Sequence, residues 1–110
     1  MKSRKDSARI LLGSLEEQVM LAVVRTRNDA YGMNVRREIE TVTGRDITIG
    51  SVYATLDRLE AKGLVTSTRT DGSDAASRRV FAVTAAGARS LTDTRATRDR
   101  LWTGVKIRAV

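Results

Sequence analysis

Thr48-Ile49-Gly50-Ser51-Val52-Tyr53-Ala54-Thr55-Leu56-Asp57-Arg58-Leu59-Glu60-Ala61-Lys62-Gly63-Leu64-Val65 holds a complete helix with both of its ends. Thr48 is of the type that accepts the orphan amides of a first turn, and Gly63 suits the left-handed position past a last one. Between them Val52, Leu56 and Leu59 form a narrow apolar stripe. At 100° per residue Gly50, Ala54, Asp57 and Ala61 fall opposite, with Ser51, Tyr53, Arg58 and Lys62 on the flanks. That outer face is small along its middle and polar at its edges. Another surface can approach it closely.

After Gly63 the period changes. Leu64 to Thr70 is rich in β-branched residues, Asp71-Gly72-Ser73-Asp74 is turn chemistry, and Arg79 to Thr84 alternates with Phe81 and Val83 on one side. This predicts a β-hairpin with a long tip, after which Thr84 caps a last helix over about residues 85–107. Upstream, Ser14-Leu15-Glu16-Glu17 reads as a capping box in which Ser14 and Glu17 exchange hydrogen bonds. Leu15, Val19, Ala22 and Val23 continue that first helix. Asn28-Asp29 supplies a turn and a cap, and Tyr31, Val35, Ile39 and Val42 predict a second helix ending near Gly44. The expected fold is mainly α with a small β-hairpin, of the α+β class. Three helices and then a hairpin is the order of a winged helix-turn-helix, whose third helix enters the major groove while the hairpin reaches phosphates. Topology alone does not establish DNA binding.

With Ala30-Tyr31-Gly32 ahead of the second helix, residues 50–65 resemble the PadR family of bacterial transcriptional regulators. The resemblance runs from about Leu12 to Gly87. The wing departs from the family pattern: Ala76 stands at an expected Arg, Val80 at an expected aromatic, and Thr84-Ala85-Ala86-Gly87 lacks a Pro, while Arg78 and Arg79 keep the basic end. The resemblance implies a homodimeric, usually repressing, DNA-binding protein with a C-terminal dimerisation helix and often a small-molecule inducer. Carried onto this chain, it implies double-stranded DNA contacts from Tyr31, Thr48, Ser51, Tyr53, Ala54, Arg58, Lys62, Arg78 and Arg79, with helix 48–62 reading the major groove and the wing meeting phosphates.

Several of these residues have a second reading. Tyr53 also fits a ring half-buried between helices, and Ser51 a helper of the cap rather than a donor to phosphate. Arg58 and Lys62 also fit as partners of nearby carboxylates, and Lys62 lies too near the helix end to reach bases. Arg78 and Arg79 point to opposite faces of a strand, so at most one faces DNA squarely.

Composition narrows the function from the other side. The 110 residues contain no Cys and no His, which excludes disulfides, thiol and imidazole chemistry, and the usual zinc and iron–sulfur sites. No carboxylate couple stands out for acid–base work. Asp71-x-Ser73-Asp74 lacks the acid a calcium loop needs at its twelfth place, which is Ala82, and Gly44…Gly50-Ser51 lacks the Lys of a phosphate loop. Neither an enzyme nor a metal or cofactor is expected. No apolar run approaches a membrane span or a signal-peptide core, so a cytoplasmic, nucleoid-associated protein with no membrane partner is expected. The net charge of +7 suits a polyanion, but it sits at the ends: residues 1–9 net +3, residues 89–110 net +4, and the middle balances.

The expected organisation is a basic flexible arm over 1–9, a winged helix-turn-helix over 10–84 and a dimerisation helix over 85–110. Leu91, Thr94, Arg98, Leu101 and Val105 give the last helix a coiled-coil period, but two polar interruptions make it a weak zipper. Leu11 and Leu12 are therefore expected to complete the seam with Leu91, Leu101, Trp102 and Val105. Trp102 offers a flat face to a planar effector, with packing at the interface as its other reading. A sequence-specific regulator, a repressor, is the expected function. The rival is a winged helix serving protein–protein contact without nucleic acid, which steeply salt-dependent retention on duplex DNA would distinguish.

Overall fold

Helix α1, Ser14–Thr26, starts one residue earlier than its capping box predicts. The computed structural model describes residues 10–70 and 78–110, so the basic arm, the wing tip Asp71-Gly72-Ser73-Asp74 and the Ala76 departure lie outside the described residues. Gly13, not Ser14, is the cap, and Glu16 Oε1 accepts its amide at 2.9 Å. Glu17 is thereby left to bind elsewhere. Val19, Met20, Ala22 and Val23 are buried, and a 3-10 turn over Arg27–Asp29 ends the helix.

Helix α2, Gly32–Thr43, is capped by Tyr31 in extended conformation rather than by Asn28 or Asp29, because the 3-10 turn consumes those two residues. Val35 and Ile39 are buried as the stripe predicts. Val42 is 58% exposed, a correction: the core covers only the first two turns of α2, and Val42 sits outside it with Leu21 and Val24. Gly44 closes the helix at φ +70°, and Glu40 Oε2 accepts the Ile47 amide at 3.0 Å across the turn that follows. That donation holds the Glu40 carboxyl below its usual range.

Helix α3, Ile49–Ala61, follows its prediction at both ends. Thr48 Oγ1 accepts the Ser51 amide at 3.1 Å, and Gly63 takes φ +77°, a backbone that side chains resist. Val52, Leu56 and Leu59 are fully buried, joined by Thr55, while Gly50, Ala54, Asp57 and Ala61 face outward. Strands β1, Val65–Arg69, and β2, Arg79–Val83, pair antiparallel from Val65↔Val83 to Arg69↔Arg79. Phe81 is buried, and its amide bonds Ala30 O at 2.8 Å, stitching the hairpin to the turn before α2.

Helix α4, Ala85–Trp102, is capped by Thr84, whose hydroxyl accepts the Gly87 amide at 3.0 Å and donates to Gly63 O at 2.7 Å. A side chain at Gly87 would overlap the Leu64 carbonyl, so α4 lies directly on the exit of α3. The helix stops at Trp102, short of the expected 107, because Thr103 and Gly104 turn the chain with Gly104 at φ +76°. Val105 therefore falls beyond the helix, and the predicted period loses its last member. No helix among the described residues is long and apolar enough to cross a membrane.

Candidate nucleic-acid interface

The first turn of α3 presents paired hydroxyls. Thr48 Oγ1 donates to Ser51 Oγ at 2.9 Å, both side chains are exposed, and they flank the amides at the positive end of the helix dipole. One turn on, Ala54 is exposed and adds no bulk. Tyr53 is half-buried with its ring over the start of α2. A Cβ at Gly32 would come within 2.5 Å of the Tyr53 hydroxyl, so only glycine admits the phenol there.

Beside Tyr53 an open groove of about 440 Å³ separates α2, α3 and the hairpin. Tyr31, Tyr53, Arg37, Arg69, Arg78 and Arg79 line it. The Arg78 guanidinium lies 4.3 Å from the Tyr31 ring centroid, a cation–π contact that orients the charge without neutralising it. Arg37 donates to Asn34 Oδ1 at 3.0 Å, and neither it nor Arg69 has a carboxylate partner among the described residues. Three guanidiniums without a carboxylate partner among the described residues, together with two phenols, can grip an anion such as a phosphodiester.

Arg79 behaves differently. Nη1 reaches Asp57 Oδ1 at 3.1 Å and Nη2 reaches Glu60 Oε1 at 2.7 Å, with the guanidinium 4.8 Å from the Phe81 ring centroid. Its charge is spent on locking the hairpin to α3, which Ser67 reinforces by donating to Glu60 Oε2 at 2.7 Å. Arg58 and Lys62 are likewise drawn to a carboxylate: Glu16 Oε2 lies 2.8 Å from Lys62 Nζ and 3.9 Å from Arg58 Nε. The Lys62 bond and the Gly13 amide hold the Glu16 carboxyl below its usual range, against the opposing effect of burial.

Arg37 and Arg69 belong to this surface and the sequence did not single them out. For Arg69 the signal was the hairpin register, which sets it opposite Arg79. For Arg37 it was helical spacing, four residues past the groove-lining Met33. No three acidic side chains among the described residues gather to hold a metal ion.

The residues expected at a dimer seam separate into two groups. Leu12 and Leu91 are half-buried against their own core, with the Leu12 amide bonded to buried Thr94 Oγ1 at 2.9 Å. Arg98, on the same stripe, binds Glu17 at 2.7 Å. Leu11, Leu101, Trp102 and Val105 are exposed, Leu101 the most of these at 73%.

A family model described as the transcriptional regulator PadR-like family matches residues 20–93, two thirds of the chain. The chain belongs to the PadR-like family. Solved structures share the fold. A PadR family transcriptional regulator from Eggerthella lenta is 29% identical over 82% of each chain, with a TM-score of 0.65. A transcriptional regulator from Clostridium thermocellum is 18% identical, covering 96% of this chain and all of its own, at 0.67. RosR of H. salinarum is 23% identical over 86% of this chain and 81% of its own, at 0.65. No curated protein matches. The PadR-like match takes in α2, α3 and the hairpin and ends at Asp93, so Leu101, Trp102 and Val105 lie outside it.

Proposed function

We propose that this PadR-like regulator is a homodimeric repressor that binds duplex DNA through the outer face of α3 and the groove beside it. The observation that carries the reading is the groove itself, where Arg37, Arg69 and Arg78 have no carboxylate partner among the described residues and lie next to an exposed, small-residue helix face. Thr48, Ser51 and Ala54 lie along the base edges. Tyr31, Tyr53 and Arg78 hold the flanking phosphates. Arg58 and Lys62 join only when Glu16 releases them. Residues 1–9 net +3 and add a sequence-independent grip, residues 10–84 form the DNA-binding unit, and residues 85–110 dimerise through Leu91, Leu101, Trp102 and Val105, with Leu11 and Leu12 completing the seam. Trp102, 55% exposed, stacks a planar effector. The site of action is the nucleoid in the cytoplasm.

The test is a fluorescence-anisotropy titration of the full chain against DNA from upstream of its own gene and against random duplex, from 50 to 200 mM salt. With roughly 6–10 phosphate contacts per dimer, affinity falls by about 10³ or more across that range. A flat salt response would return the fold to a protein–protein role.

A further inference from the structure

Asp57 stands in an unfavourable place for an acid. It is the only residue of the outward strip Gly50, Ala54, Asp57 and Ala61 with a hydrogen-bonding side chain, and that side chain is 60% exposed. A carboxylate on a face turned toward phosphates is repelled unless something compensates it. Arg79 compensates it from the hairpin: Nη1 donates to Asp57 Oδ1 at 3.1 Å while Nη2 is anchored on Glu60 Oε1 at 2.7 Å. Oδ1 is thereby fixed. Oδ2 accepts no hydrogen bond among the described residues.

We propose that Asp57 determines specificity by accepting a hydrogen bond from the N4 amino group of a cytosine in the major groove, with Arg79 as its positioning residue. The proposal rests on α3 being the element that reads DNA. An ionised carboxylate offers acceptors only. In the major groove guanine presents O6 and N7 and thymine presents O4, all acceptors, and these repel it. Adenine pairs its N6 donor with an adjacent N7 acceptor, whereas cytosine presents the N4 donor alone. Cytosine is the base that Asp57 favours. The same carboxylate raises the cost of every wrong base, so it filters as well as binds.

The experiment is selection of binding sites from a randomised duplex pool by the full chain, its Asp57→Asn and Asp57→Ala variants, and Arg79→Gln and Arg79→Lys. The wild type selects a cytosine at one position of each half-site. Asp57→Asn moves that position to adenine, because an amide pairs with N6 and N7 together, and Asp57→Ala flattens it, with preferences of roughly 5- to 150-fold lost. Arg79→Gln broadens the same position and Arg79→Lys restores it. If both Asp57 variants select the wild-type base at every position, or change a position where the wild type holds another base, the proposal is overturned while α3 remains the reading element. An unchanged profile in Arg79→Gln removes the positioning role. A wild-type chain that selects no sequence overturns both this proposal and the DNA-binding reading beneath it.

Discussion

Glu16 and Lys62, 2.8 Å apart, tie the first turn of α1 to the cap at the end of α3. The next residue, Glu17, holds Arg98 of α4 at 2.7 Å. Two adjacent acids therefore reach in opposite directions, one toward α3 and one toward the C-terminal helix. Glu16 retains only 13% side-chain exposure, which protects its pairs from the full screening of an open surface bridge.

Glu16→Gln is expected to lower stability by about 0.5–1 kcal/mol at neutral pH, since Lys62 and Arg58 are partly exposed and screened. The Glu16 carboxyl is held below its usual range in the folded chain, so its contribution is present above the unfolded value and fades as pH falls through the folded one. Thermal melts from pH 7 down to 3 should show wild type and variant converging in acid. The same variant frees Lys62 and Arg58, so its affinity for every DNA sequence rises at low salt.

Arg37→Ala, Arg69→Ala and Arg78→Ala should each weaken binding uniformly across sequences and reduce the salt slope by about one. Arg79→Ala should leave the slope nearly unchanged, because Asp57 and Glu60 already neutralise it, while the two carboxylates it bares lower the affinity for every sequence. Anisotropy titrations at four salt concentrations separate the two behaviours.

Ser51→Ala is expected to cost about 1–3 kcal/mol with relaxed sequence preference, whereas Tyr53→Ala, which removes a phosphate contact, should weaken binding to all sequences alike, both with an intact fold. Gly32→Ala should reproduce the Tyr53→Ala loss without touching the tyrosine, because the added methyl displaces its ring. Circular dichroism checks the fold, and competition with random duplex checks the preference.

Leu101→Asp should yield a monomer in sedimentation. Trp102→Ala should abolish binding of planar cations followed by calorimetry, because with the sole tryptophan gone no tryptophan fluorescence remains to report it. Deleting residues 1–8 should weaken binding to all sequences alike and leave the melting point unchanged.

Helix α3 was legible because its cap, its stripe and its stop all lie within one local stretch, and local chemistry decides each of them. The resemblance to the PadR family rested on the same residues and extended to the hairpin. What the sequence hid was pairing across distance. Glu16 and Glu17 are equally able to close a capping box, and the choice fell to Arg98, 81 residues away, which draws Glu17. The partners of Arg58, Lys62 and Arg79 sit on other elements, so the sequence offered carboxylate pairing of Arg58 and Lys62 only as a second reading and did not name Glu16. The end of α4 was misread because Val105 kept the apolar period while Gly104 had already turned the chain.

The junction between α3 and α4 leaves almost no play. Thr84 bonds Gly63 and Gly87 together, and the Leu64 carbonyl fills the room a side chain at Gly87 would need. In a dimer joined through α4, this rigid corner works as a ruler: it sets how far apart, and at what angle, the two copies of α3 meet the duplex. Half-sites one helical turn apart, about 34–36 Å, tolerate little error in that distance. Gly87→Ala, which forces the corner open, would then change the operator length the protein accepts before it changes any base the protein prefers.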